Sequence, residues 1–191
     1  GHSIWVNSRA LALAGITAAT PDPPDGTIDR DTTGEPTGIL REKAAELVER
    51  VIPEPNSTEI ERALLLAQEK ALAAGLTGVH TMEGPRVFTA LRRMEAAGTL
   101  LLRVYQSIPQ DHLEEAIGLG LGTGFGNHRL RIGGVKLFAD GSLGSATASM
   151  FDDYCGQEGQ RGVVVLPKDE MRTLVRKATT ADIAPVIHAI G

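Results

Sequence analysis

The sequence predicts an α/β fold in which a parallel sheet is flanked by helices. Helical and strand-like apolar patterns alternate along the chain, glycine or proline punctuates most junctions, and about four strand-like runs can be counted. A closed (β/α)8 barrel takes at least roughly 200 residues and usually about 250, and this chain has 191. Four parallel βα units therefore make either half of a TIM-type barrel or a small open sheet.

The first fifty residues break this alternation. Residues 20–38 are rich in Pro, Gly, Asp and Thr and read as a looped excursion or small hairpin. Leu40, Ala44, Leu47, Val48 and Val51 follow helical spacing up to Pro53. A division follows, with 1–55 as an N-terminal segment carrying the excursion and one helix, and 56–191 as the βα part. In the latter, Ile60, Ala63, Leu64, Ala67, Ala71 and Ala74 form an apolar helical stripe. Asn56 or Ser57 caps it and Gly75 closes it. Val87, Ala90, Leu91 and Met94 predict a second helix ending near Gly98, and Met171, Leu174, Val175 and Ala178 a third after Pro167. Asp111 and Glu114 have capping-box spacing, which predicts a short helix from Asp111. Strands are expected over 76–82, 100–107, 132–139 and 184–189.

Composition narrows the function. With 42% hydrophobic residues the chain is not a disordered one. Its longest apolar runs fall far short of the ~20 residues a membrane helix needs. Nineteen Lys+Arg against 24 Asp+Glu, with signs mixed, give a net charge of −5 and no clustered basic face for nucleic acid or an anionic membrane. Cys155 is the single cysteine, which excludes an intrachain disulfide and a Cys-based zinc site. No charged-then-apolar leader is visible in the first residues, so a cytoplasmic setting is expected over a secreted one. Gly1 lacks a preceding methionine and the apolar run 183–190 stops at Gly191, so the chain is expected to be an internal piece of a longer one.

Lys136 stands where a strand runs into a small-residue turn, in IGGVKLFADGSLGS, and alternation sets it on the face opposite Val135 and Leu137. Two readings are open. An edge lysine packs its stem and keeps its amine in water. An amine held in an apolar interior instead loses its charge and becomes a nucleophile. With carbon dioxide it forms a carbamate, an anionic oxygen ligand for a hard or borderline metal. His188 closes the apolar run PVIH, at the strand end where α/β folds build their sites. It reads as a metal ligand or as a core histidine bonded to a carbonyl. His80, in GLTGVHT, has the same strand-end position and reads as a ligand or substrate contact. His112 and His128 lie in polar surroundings and read as solvated. No His-x-His and no His-Glu-x-x-His occurs, so this chain alone lacks the three or four groups of a self-sufficient zinc site. The run GLGLGTGFG at 118–126 follows a helix and never gives Gly-x-Gly-x-x-Gly, which makes it a flexible connection rather than a nucleotide loop. Ser142 and Ser145 lack the Gly-x-Ser-x-Gly frame of a nucleophile elbow and read as a turn.

Four stretches carry a resemblance: GHSIWVNSRAL at 1–11, GEPTGILRE at 34–42, VKLFADGSLG at 135–144 and VIHAIG at 186–191. Together, in this order, they resemble amidohydrolase family 3, metal-dependent hydrolases of the N-substituted formamide deformylase type. The resemblance runs over nearly the whole chain and makes a tag origin for Gly1 and His2 unnecessary. It implies a (β/α)8 barrel and a divalent metal, zinc first, at the C-terminal face. Lys136 matches the family's carboxylated bridging lysine and His188 a histidine ligand. His2, Trp5 and Asn7 fall in a stretch that borders the small-molecule substrate pocket in such enzymes, His80 and Asp140 are further candidates for substrate contact, and Arg41 and Glu42 suggest structural ion pairing. The family's first-strand His-x-His, a further histidine and its aspartate base have no counterpart here. The implied reaction is metal-assisted hydrolysis of a non-peptide amide-type C–N bond in a longer protein, the segment alone being inactive. Two other readings compete: a non-catalytic half-barrel that self-assembles into a homo-oligomer through open sheet edges, and a Schiff-base enzyme using Lys136.

Overall fold

The computed structural model describes residues 2–191; Gly1, part of the first resemblance stretch, lies outside them. The chain divides into two compact units. One comprises Gly1–Glu54, Phe138–Pro167 and Ala189–Gly191, the other Pro55–Leu137 and Lys168–His188. Phe138–Pro167 thus groups with the N-terminal segment.

The first unit is organised by a three-stranded antiparallel sheet of order β1-β3-β2, with β1 Ser3–Trp5, β2 Gly26–Arg30 and β3 Pro36–Glu42. Leu40 sits at its centre, opposite Ile4 on one side and Ile28 on the other, and is fully buried. The expected excursion is therefore a true hairpin. The helical stripe expected from Leu40 is corrected: Leu40 is strand. The chain leaves the sheet at Glu42 (φ 45°), passes through a 3₁₀ turn at Lys43–Ala45, and only then forms α2, Glu46–Glu49. Two strands pairing with Leu40 outweigh its local helical spacing. The segment also holds a second helix, α1, Ser8–Ala14, which Asn7 caps by accepting the Ala10 N–H at 3.0 Å. Leu11, Ile16, Ile28, Leu40, Ala44 and Val48 form the core. Gly38 (φ 93°) lies so close to β1 that a Cβ there would fall 2.2 Å from the Val6 carbonyl oxygen.

The second unit is a four-stranded parallel sheet of order β4-β5-β6-β7, curled as a half-barrel with helices packed on one side. Its strands are β4 Gly78–Thr81, β5 Arg103–Pro109, β6 Leu130–Phe138 and β7 Pro185–His188. The helices are α3 Ser57–Ala73, α4 Pro85–Ala96, α5 Leu113–Gly118 and α6 Lys168–Thr180. Asn56 and Glu59 close a reciprocal capping box on α3. Gln68 is buried and ties α3 to the sheet, donating to the Thr99 carbonyl at 3.0 Å and accepting from the Leu101 N–H. Leu91, Met94, Leu100, Leu102, Val104 and Leu130 fill the space between helices and sheet.

Two expectations are corrected here. Asp111 is not a helix cap: Gln110–His112 form a 3₁₀ turn, and α5 starts at Leu113, whose burial anchors the first turn. The glycine run is not a loose connection. Gly124 N–H donates to the Ile132 carbonyl at 2.7 Å, Ile132 N–H returns a bond to Phe125, and Thr123 Oγ1 accepts from Ala184 at 2.8 Å.

Replacing Leu40 with alanine empties the centre of the three-stranded sheet. Urea unfolding should show a loss of about 2–5 kcal/mol; a loss below about 1 kcal/mol would mean that the sheet is not built around this side chain.

Candidate metal centre

The geometry of the second unit turns on an irregularity in β6. Along β5 and β6 the pairs run Val104–Leu130, Tyr105–Arg131 and Gln106–Ile132, then jump to Ile108–Val135 and Pro109–Lys136. Ser107 alone faces Gly133 and Gly134, so β6 carries one extra residue, a β-bulge. Val104 and Leu130 pack against α4, which defines the helix side. Tyr105, Ser107 and Pro109 then face the barrel-interior side. Without the bulge, alternation from Leu130 and Ile132 would send Lys136 to the helix side. With it, Val135 and Leu137 take the helix side, fully buried, and Lys136 points to the interior.

On the other edge of β6, the Val135 N–H donates to the Ala184 carbonyl at 2.9 Å. In a parallel ladder this sets Val135 beside Pro185 and Lys136 beside Val186. A Cβ on Gly134 would lie 3.1 Å from Val186 Cγ2, which agrees. His188 shares a face with Val186, so Lys136 and His188 project from the same side of neighbouring strands. Their Cα atoms are about 8 Å apart by strand geometry.

Lys136 is 9% exposed, and its Nζ donates to the Leu137 carbonyl at 3.4 Å. Burial pushes its amine below the ordinary lysine pKa, because a low-dielectric surrounding penalises the cation. An uncharged lysine amine and an imidazole are both donors that suit a divalent ion, and an uncharged amine can also add carbon dioxide. Among the described residues no cluster of three His, Cys, Asp or Glu side chains occurs. The donors present fit part of a coordination shell, where zinc takes three or four.

His80 is on β4, opposite Tyr105, and the two rings stack with centroids 5.0 Å apart and planes 12° from parallel. This puts His80 on the interior side, and Tyr105 is a site-facing aromatic that sequence reading missed. The signal was its odd-numbered place in the strand RVYQSIP, legible only once the helix side is known.

The remaining expected residues belong to the first unit. His2 Nδ1 lies 3.1 Å from Glu42 Oε1, with its ring edge-on to Phe138 at 6.3 Å. Trp5 is 85% exposed, and Asn7 is the α1 cap. Arg41 makes a bidentate pair with Asp29, at 2.8 and 2.7 Å, and also donates to the Ser145 carbonyl. Asp140 is buried and accepts three backbone N–H bonds, from Ser149 at 2.9 Å, Ile190 at 2.9 Å and Gly191 at 2.7 Å. Its carboxylate thus knits the turn after β6 to the residues after His188. Ser142 and Ser145 bond each other through their hydroxyls at 2.6 Å within that turn.

A sequence profile of the Amidohydrolase family matches residues 1–191. A Bacillus subtilis (strain 168) protein named as the amidohydrolase YtcJ is 32% identical over 196 residues, covering 100% of this chain and 36% of that protein. The N-substituted formamide deformylase of Arthrobacter pascens is 32% identical over 201 residues, covering 100% and 37%. The crystal structure of an uncharacterized metal-dependent hydrolase from Pyrococcus furiosus superposes with a TM-score of 0.73 at 32% identity, covering 100% of this chain and 39% of that one. The chain thus spans little more than a third of the length of these relatives.

The depressed pKa of Lys136 predicts a pH dependence. The unfolded chain holds the lysine proton up to about 10.5, while the folded chain releases it earlier. Folding stability should therefore rise as pH climbs through this window, and the cost of burying the cation persists below it. Lys136→Met removes that cost. Chemical denaturation across pH 7–10.5 should show the variant gaining on the parent at neutral pH, with the gap closing as pH rises. A gap that does not change with pH contradicts this.

Proposed function

This chain belongs to the Amidohydrolase family, and we propose that it carries part of the metal centre of a hydrolase that cleaves a non-peptide, amide-type C–N bond. The observation that supports the reading is the strand register that gives Lys136 and His188 one common face, with the Lys136 amine buried and biased towards neutrality. Lys136 and His188 would hold the divalent metal, zinc being the expected ion. The metal-dependent hydrolase of similar fold supports the metal, and the N-substituted formamide deformylase of similar sequence supports an amide-type substrate.

Bound metal lowers the pKa of coordinated water towards 7 and polarises the scissile carbonyl. The residues prepare for this. The Lys136 Nζ lone pair attacks the carbon of carbon dioxide, an N–C bond forms, one C=O electron pair moves to oxygen, and nitrogen releases a proton to solvent. The product is a carbamate anion, through which Lys136 would offer an oxygen donor to the metal in place of a cation. His188 supplies a neutral nitrogen. His80 is proposed to border the small-molecule substrate on the face that carries Lys136 and His188; for His2, Trp5, Asn7 and Asp140, in the other unit, a substrate contact is proposed on the resemblance alone. Two donors do not complete a shell, so the 191 residues by themselves should hold metal weakly and turn over little substrate.

In the parent protein, removal of metal by a chelator, Lys136→Met and His188→Asn should each lower hydrolysis of an N-substituted amide about a thousandfold. The two variants should also lower bound metal measured by atomic absorption. Full activity and metal content in both variants would overturn the reading.

A further inference from the structure

The interior side of the parallel sheet carries further cations, nearer the N-terminal ends of the strands than Lys136 and His188. The stacked rings of His80 and Tyr105 mark this side, and Arg131 stands opposite Tyr105 in the strand register. Arg103 lies two residues before Tyr105 on β5 and shares its face. A Cβ on Gly78 would fall 3.4 Å from Arg103 Cβ, which agrees, since Gly78 shares the face of His80. Strand geometry sets the Cα atoms of Arg103 and Arg131 about 8 Å apart.

Both guanidiniums meet neutral acceptors. Arg103 Nη2 donates to Thr77 Oγ1 at 2.7 Å, and Arg131 Nε to the Asn127 carbonyl at 2.7 Å. Among the described residues neither forms an ion pair. The four strands that build this face, GVHT, RVYQSIP, LRIGGVKLF and PVIH, contain no aspartate or glutamate.

That composition constrains what can close the half-barrel. An eight-stranded barrel is filled by its own side chains and is not a pore. Once closed, it would take Arg131, one pleat inside the sheet, out of water. A guanidinium cannot shed its proton as Lys136 can, so its burial demands an anion. A second copy of this chain, set edge to edge, would bring only the same acid-free strands and turn arginine towards arginine. The complement must therefore differ in sequence. The chain spans little more than a third of the length of its relatives, which leaves room for further strands in the same protein.

We propose that this face docks against strands of the same longer protein, outside residues 1–191, and that those strands present a carboxylate to Arg131, with Arg103 beside it. Arginine and carboxylate meet through two parallel N–H···O bonds, which would fix the register between the two halves. The proposal rests on the reading of the chain as part of a longer hydrolase.

A crystal structure of the parent protein should show an Asp or Glu from outside residues 1–191 within about 4 Å of the Arg131 guanidinium. In thermal unfolding of the parent, Arg131→Met should lower Tm by about 5 °C, and Arg131→Lys, which keeps the charge, by less. Neutralising the partner carboxylate to its amide should cost little more once Arg131 is methionine, a non-additivity expected of a contacting pair. An Arg131 that meets only water or backbone carbonyls, or faces a second copy of its own strands, would overturn the proposal, as would additive losses. Should Arg131→Met fail to fold, the structure alone decides. Bound zinc, measured on the same protein, reads the metal centre separately. Zinc without the carboxylate sinks this proposal alone, and the carboxylate without zinc sinks only the metal centre.

Discussion

A single extra residue in β6 decides what the interior of the half-barrel can do. Parallel strands alternate strictly, and a side chain's face is fixed by its register to its neighbours. Between Ile132 and Val135 that alternation is reset at Gly133 and Gly134, opposite Ser107. Hydrocarbon stays on the helix side both before and after the reset, first as Leu130 and Ile132, then as Val135 and Leu137. Lys136 is thereby delivered to the interior on the same face as His188. Glycine suits the bulge because β7 passes close: a Cβ on Gly134 would fall 2.2 Å from the Ala184 carbonyl oxygen.

The two faces of this sheet then acquire different chemistry from one strand pattern. The interior face carries Lys136, His188 and the His80–Tyr105 stack, groups that can bind a cation or rest against a planar substrate. The helix face carries hydrocarbon and, within it, Gln106. The Gln106 amide is held there by its nitrogen, which donates to the Glu83 and Ser107 carbonyls. In the first unit, polar side chains mainly hold backbone. Asp140 gathers three N–H groups and Arg41 bridges Asp29 and the Ser145 carbonyl, which fixes the loops they join.

Much of this was legible in the sequence where local signals and tertiary contacts agree. The Asn56 cap, the Gly75 stop, the Pro167 start and the four β runs all appear within a few residues of their expected bounds. The family, and with it the partial barrel, followed from four short stretches. Local reading failed where pairing partners decide the outcome. Leu40 has helical spacing with Ala44 and Leu47, yet strands on both sides capture it. Asp111 and Glu114 have a capping box's spacing, yet burial of Leu113 starts the helix later. For Lys136 the sequence named the correct neighbours, Val135 and Leu137, but not which way they face. That depends on the bulge, and a pair of glycines in a strand only hints at one.

Lys136 and His188 are proposed to grip one cation, and anomalous diffraction from crystals of the full-length protein grown with zinc tests this most directly. A zinc peak is expected within bonding distance of a His188 nitrogen, with density for a carboxylated Lys136 reaching the same ion. Zinc bound elsewhere, with Lys136 an unmodified amine packed away from His188, would contradict it.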